Sequence, residues 1–179
     1  MNIFFRKAET WEAPILTETR RKAWDATYRG IYPDEMIDQF DFSYYLKKDE
    51  ARIMDPKQLV FLLMDGDRCG GYLCVGSPAY GAYKDFGICL NALYLLPDYQ
   101  GRGFGRQAFE IVSGVCRQKG FHKFFCGCNA HNYKARSFYG YMGGHLGAAR
   151  IGHRNKALDQ VYFEFSLDST DYHLQGDKT

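Results

Sequence analysis

Gln100-Gly101-Arg102-Gly103-Phe104-Gly105-Arg106 places three glycines at alternate positions, with two arginines among them. Glycine lets a backbone turn sharply and approach a ligand with no Cβ in the way. The apolar spacing just downstream predicts a helix, whose free N–H groups and positive dipole end would face back into this turn. A strand, a glycine turn and a helix N-terminus together suit phosphate or pyrophosphate, and Arg102 and Arg106 add charge. The dinucleotide fingerprint is incomplete, because Arg106 stands where its third glycine belongs and the segment lies past mid-chain. No GxxxxGK[ST] string is present either. On these residues alone a purely structural glycine turn stays open. The second constellation is Asn132 and Tyr139, two helical turns apart and so on one face, with Ala135 and Arg136 between them. A tyrosine there can give a proton to a leaving group, or it can be a packed ring with its hydroxyl satisfied.

Both constellations need a frame. Ile3–Ala8 reads as a short strand, and apolar residues from Glu12 to Tyr28 recur at helical intervals until Gly30 and Pro33 stop them. Asp34-Glu35 suits a further helix start, and Ser43 is expected to cap a helix running to about Ile53. Leu59–Met64 and Tyr72–Val75 are apolar runs joined through Asp65-Gly66-Asp67-Arg68, a hairpin signal. Ile88–Leu96 is a strand ended by Pro97. Phe104, Ala108, Ile111, Val112 and Val115 line one helix face that closes near Gly120. Phe124–Cys128 is a strand and Asn132–Met142 a helix. Val161, Phe163, Phe165 and Leu167 alternate with Tyr162, Glu164 and Ser166, which predicts a half-buried strand. The order is helices, an antiparallel hairpin, then a right-handed βαβ crossover, an α+β arrangement in one domain over 1–168 with a polar tail over 169–179. The cradle and the Asn132–Tyr139 face then flank a crevice at the carboxyl ends of two parallel strands.

Composition narrows the function. The 179 residues are 46% hydrophobic and 25% charged, ordinary globular usage, while 17% aromatic content supplies rings for a core and for lining a cavity. A net charge of +2 argues against nucleic acid or an anionic membrane as partner. No apolar run reaches the roughly 18 residues of a membrane helix, and the first residues do not read as a secretory signal. The six cysteines form no CxxC and the histidines no HxxxH pair, so buried reduced thiols, no metal and a cytoplasmic setting are expected.

Leu93-Tyr94-Leu95-Leu96-Pro97-Asp98-Tyr99-Gln100-Gly101-Arg102-Gly103-Phe104-Gly105, followed by Asn132, Ala135 and Phe138-Tyr139, resembles the GCN5-related N-acetyltransferase superfamily. Gln100, Gly103 and Gly105 fill its acyl-CoA signature [RQ]-x-x-G-x-[GA]. The likeness is specific over about 88–144, and Tyr28-Arg29-Gly30-Ile31-Tyr32-Pro33 also looks like many bacterial members. The resemblance implies a mixed, mostly antiparallel sheet of about seven strands with about four helices, splayed at its parallel pair to hold acetyl-CoA. It implies that backbone N–H groups of Gly101, Arg102, Gly103, Phe104, Gly105 and Arg106 hold the pyrophosphate. The main chain of Leu93, Tyr94 and Leu95 would pair with the pantetheine arm, and Asn132 would hydrogen-bond it. An amine would attack the thioester directly, and Tyr139 would protonate the departing thiolate.

One departure stands out. Many members carry a carboxylate on the strand before the glycine turn as general base, whereas Ile88–Leu93 has none. Asn91 cannot accept the proton, which leaves solvent or a residue of the first third such as Glu35. The resemblance puts the acceptor pocket between the early helices and the segment before the last strand. Asp34, Glu35, Asp38 and Asp41 interleave there with Tyr28, Tyr32, Tyr44 and Tyr45, as a site for a cationic amine or as a solvated helix face over core aromatics. Arg150, His153, Arg154 and Lys156 form a basic stretch opposite, either solvated or facing an anionic acceptor. The first expectation is acetylation of a small-molecule amine. Acetylation of a protein lysine or N-terminus and a non-catalytic acyl-CoA-binding module are the alternatives; a toxin that acetylates charged tRNA is disfavoured by the near-neutral charge, and the oligomeric state, a homodimer included, is open.

Overall fold

A strand that is apolar at every position must be covered on both faces, and the two runs of the hairpin lie inside the sheet, not at its edge. The computed structural model describes residues 2–78, 83 and 86–167. Its elements are β1 (Ile3–Lys7), α1 (Ala13–Tyr28), α2 (Asp34–Asp38), α3 (Phe42–Met54), β2 (Gln58–Asp65), β3 (Arg68–Gly76), β4 (Cys89–Leu95), α4 (Phe104–Gln118), β5 (Lys123–Asn129), α5 (Tyr133–Tyr141), β6 (His145–Arg150) and β7 (Gln160–Ser166). The sheet has seven strands in the order β1-β2-β3-β4-β5-β7-β6. Only β4 and β5 are parallel neighbours. Leu73 and Val75 of β3 pack with Ala108, Phe109 and Val112 of α4, and Tyr72 and Cys74 pack on the other side with Leu16 of α1. The sheet is thus a middle layer with α4 and α5 on one face and α1 and α3 on the other.

Three details depart from expectation. Asp41, not Ser43, caps α3, its carboxylate accepting the Tyr44 N–H at 2.9 Å; Ser43 already lies inside the helix. Tyr162 does not face solvent, because Tyr83 and Phe86 cover it together with Phe125, so β7 is buried on both faces at that point. The segment His145–Arg150 is an edge strand exposed along its whole length, and its lack of any buried face left no apolar alternation to find. The expected end of the domain at 168 and the tail 169–179 lie outside the described residues.

A buried ion pair fastens the helical layer. Arg20 of α1 donates to Asp49 of α3 through Nε at 3.1 Å, and Thr17 Oγ1 donates to the same carboxylate at 3.0 Å. The guanidinium lies over the rings of Tyr45 and Tyr72, 5.7 and 5.3 Å from their centroids. Replacing Asp49 by Ala leaves a buried cation unpaired, which costs about 3–5 kcal/mol. Urea unfolding of Asp49→Ala should show a loss of that size; a loss below about 1 kcal/mol, the scale of an exposed pair, would mean that the cation is not held in a dry interior.

Candidate active site

The site begins with a bulge. β3 and β4 pair Cys74 with Ala92 but Val75 with Leu90, so Asn91 is an extra residue in β4. Its amide nitrogen donates to Gln58 Oε1 and to the Ser77 carbonyl at 2.9 and 3.0 Å, which occupies it in joining the start of β2 to the end of β3. Beyond the bulge β4 follows β3 and leaves β5. The parallel ladder therefore holds only the pairs Cys89–Phe125 and Leu90–Cys126, although β4 continues to Leu95 and β5 to Asn129. The edge of Leu93, Tyr94 and Leu95 that would face β5 borders a V-shaped cleft.

The glycine turn stands where the V opens. Gly101 and Gly103 take φ +71° and +84°, and a Cβ at either would meet nothing within 4 Å, so the turn needs glycine for its backbone conformation and its outer side is open. Gly105 is required for a different reason, since a Cβ there would come within 2.8 Å of the Phe138 ring, where α4 and α5 approach. Gly103 is the N-cap of α4 and has no side chain to cap it. The first ladder bond of the helix runs from Gln107 N–H to Gly103 O at 3.2 Å, ahead of which Phe104, Gly105 and Arg106 lie in the first turn, whose N–H groups have no helical acceptor. Gln100 and Arg102 hold the turn rather than point outward: Gln100 Nε2 donates to Leu95 O at 2.8 Å, and Arg102 donates to Asp98 O while covering the Tyr99 and Phe104 rings. The Phe104 side chain is buried with Leu63 and Tyr99, so only its backbone belongs to the cradle. Arg106 reaches the Tyr141 hydroxyl at 3.4 Å.

Tyr139 and Asn132 lie on α5 and at its start. The Tyr139 ring packs among Phe109, Phe138 and Phe163 and is 6% exposed. Burial, with the neighbouring thiols of Cys126 and Cys128, pushes its hydroxyl well above the usual tyrosine range. Cys126 belongs to the last rung before the strands part, so this phenol sits at the apex of the V. Asn132 caps α5, its side-chain oxygen accepting the Ala135 N–H at 3.1 Å, which leaves its NH2 group for other partners.

At the mouth, the acidic cluster of the first third is largely engaged. Arg29 binds Asp25, Asp34 and Asp38 together, and Asp41 caps α3; Glu35 is exposed on α2. Behind them Trp24 meets the rings of Tyr28, Tyr32, Phe40 and Tyr45. Two residues that the sequence did not single out organise the far side. Asn129, 1% exposed, donates to Lys156 O at 2.8 Å and accepts the His131 N–H at 2.9 Å. Asp159 accepts from His131 Nε2 at 2.8 Å, from the His153 backbone at 3.0 Å and from His153 Nδ1 at 2.7 Å. That carboxylate fastens the segment before β7 to the end of β5. The only signals for it were an isolated Asp and two distant histidines, which no spacing rule connects. Of the basic stretch, His153 is thus taken up by Asp159, while Arg150, Arg154 and Lys156 are exposed.

The model of the acetyltransferase (GNAT) family matches residues 17–143. No curated protein matches the chain in sequence. Among solved structures, PaiA N-acetyltransferase of Thermoplasma acidophilum in complex with coenzyme A superposes with a TM-score of 0.73 at 22% identity, over 93% of this chain and 99% of its own. An acetyltransferase of Thermus thermophilus gives 0.70 at 21%, over 93% and 98%. YncA of Salmonella typhimurium with its cofactor acetyl-CoA gives 0.67 at 20%, over 99% of both chains. At these identities the likeness is one of fold.

The Asp159 latch has a pH signature. The His153 N–H, then the side chains of His131 and His153, hold its carboxyl well below the usual carboxylate range. A carboxyl depressed in the folded state stabilises above its unfolded pKa of about 3.9 and loses that contribution as pH falls toward the folded value. Melting temperatures measured from pH 6 down to pH 3 should fall less steeply for Asp159→Asn than for wild type below about pH 4. Parallel curves would mean that the latch does not stabilise the fold.

Proposed function

The chain belongs to the acetyltransferase (GNAT) family, and on that footing we propose that it transfers the acetyl group of acetyl-CoA directly to the primary amine of a small molecule. The observation that carries this is the two-rung ladder between β4 and β5, with an unoccluded glycine corner at its open end. When bound, acetyl-CoA supplies a thioester carbonyl open to attack by an amine. The N–H groups of Gly101, Arg102, Gly103, Phe104, Gly105 and Arg106 take its diphosphate, helped by the dipole of α4. The main-chain edge of Leu93, Tyr94 and Leu95 offers strand-like hydrogen bonds to the amides of the pantetheine arm, and Asn132 contributes its NH2 group. Gln100 keeps the corner in place through Leu95 O. Tyr139, held protonated by its buried setting, donates to the sulfur as the C–S bond breaks.

A small acceptor is favoured over an extended peptide because the segment before β7 is latched to the end of β5 through Asn129 and Asp159, which narrows the mouth from that side. A cytoplasmic setting fits the six free thiols. Among the described residues no helix is long and apolar enough to cross a membrane, and no His/Cys/Asp/Glu group could hold a metal ion.

Acetyl-CoA at about 100 times its Kd should stabilise the wild type by about 2.7 kcal/mol, seen as a raised melting temperature. Gly103→Val should remove that shift, since a β-branched residue does not adopt φ +84° and the corner must refold. An equal shift in the variant would place the diphosphate elsewhere. In steady-state assays of thiol release, Tyr139→Phe should lower kcat on the order of 10²-fold with the KM for acetyl-CoA little changed. Undiminished kcat would take Tyr139 out of the reaction.

A further inference from the structure

The acceptor side has no carboxylate on β4, yet hydroxyl-bearing side chains join β4 to the early helices at the mouth of the V. Tyr94 of β4 and Tyr28, the last residue of α1, bring their hydroxyl oxygens to 2.8 Å. The Tyr28 ring stacks on Tyr32 with centroids 4.2 Å apart and planes 7° from parallel. The chain Tyr94–Tyr28–Tyr32 therefore runs from β4 past the end of α1 at the mouth of the cleft.

None of these groups is a base. Burial raises the Tyr28 hydroxyl well above the usual tyrosine range and Tyr32 to about 12. Arg20, Asp49, Arg29, Asp25, Asp34 and Asp38 around them are already paired. Arg20 with Asp49 lies beneath Tyr72 and Tyr45 from α1 and α3, with Arg52 beyond on α3. Arg29 holds Asp25, Asp34 and Asp38 past Tyr32, and Glu35 stands exposed on α2. On the β5 side, Lys156 presents its carbonyl to Asn129, and His131 is bound to Asp159.

We infer that this chain of hydroxyls receives the acceptor amine as its uncharged free base and orients its nitrogen, so that the basicity of the amine, not of an enzyme group, governs the pH dependence. The inference rests on the acetyl-transfer reading above. In the step it describes, the N–C bond forms and the C–S bond breaks. The sulfur takes the proton of Tyr139, the nitrogen releases one proton to solvent water, and water restores the proton of Tyr139. At neutral pH the site then favours weakly basic amines, α-amino groups above all, over ε-type alkylamines, because a larger share of an α-amine is uncharged. Tyr28 and Tyr94 are positioning residues in this scheme.

The test follows thiol release from acetyl-CoA with phenylalaninamide, phenethylamine and spermidine as acceptors across pH 6 to 10. The first two share a ring and differ in the basicity of the amine. Support is an ascending limb of kcat/KM that moves with the pKa of the acceptor, and better use of phenylalaninamide at pH 7. Tyr28→Phe and Tyr94→Phe should each raise the KM for the amine by up to about 10-fold, with the KM for acetyl-CoA unchanged and the double variant no worse than either single one. A limb at one pH for all acceptors overturns the inference, and its loss in His131→Gln or Glu35→Gln would identify the base. Preference for spermidine at pH 7, or an unchanged amine KM in both variants, overturns it as well. Thiol release with none of the three, while acetyl-CoA still raises the melting temperature, overturns the small-amine transfer reading and this inference with it. The wild-type pH profiles stand even if a variant fails to fold.

Discussion

One extra residue in β4 sets the geometry on which everything else depends. A parallel strand pair normally satisfies its neighbour's backbone along its whole length. At Asn91 the bulge lets β4 keep its ladder with β3 and turn away from β5 after two rungs. The unpaired edge that results would be a liability on an outer strand, open to pairing with any other chain. Inside the molecule, with α4 and α5 on one face and α1 and α3 on the other, it is shielded from other strands. The Asn91 side chain, tied to Gln58 and Ser77, fixes the bulge from behind.

The cleft is built differently on its two sides. On the side of the glycine turn the chain offers backbone N–H groups and a helix dipole, with side chains such as Phe104 and Gln100 turned to packing and bracing. On the side of the early helices it offers rings and hydroxyls, with Asp25, Asp34 and Asp38 held by Arg29 and Asp41 capping α3. The apex of the V is dry: Cys126 is fully buried and Tyr139 nearly so. A dry apex keeps the phenol protonated, and a phenol that stays protonated is suited to donating toward sulfur and unsuited to removing a proton from an amine.

The far half of the sheet is stabilised by polar contacts as much as by packing. β6 contributes no buried side chain, so the segment that follows it is held mainly through Asp159 and Asn129, each of which ties residues of the late segment to the end of β5. The same two residues shape the mouth of the cleft.

The amino-acid sequence by itself determined the hairpin, the crossover, the glycine corner and the face shared by Asn132 and Tyr139. These rest on local rules: side-chain alternation, helical spacing, and the backbone freedom of glycine at positions such as Gly103. It misjudged what depends on a distant neighbour. The cap of α3 lay two residues from Ser43, and Tyr162 was taken for a solvent-facing residue because its cover, Tyr83 and Phe86, comes from far away in the chain. The acidic residues near 34–41 read as free charges, but Arg29 gathers two of them, Asp34 and Asp38, together with Asp25 only when the α1–α2 corner folds back. Only the tertiary structure decided the bulge, the Asp159–His131 latch and the Tyr94–Tyr28 hydroxyl pair, since hydrogen bonds between residues tens of positions apart leave no periodic trace along the chain.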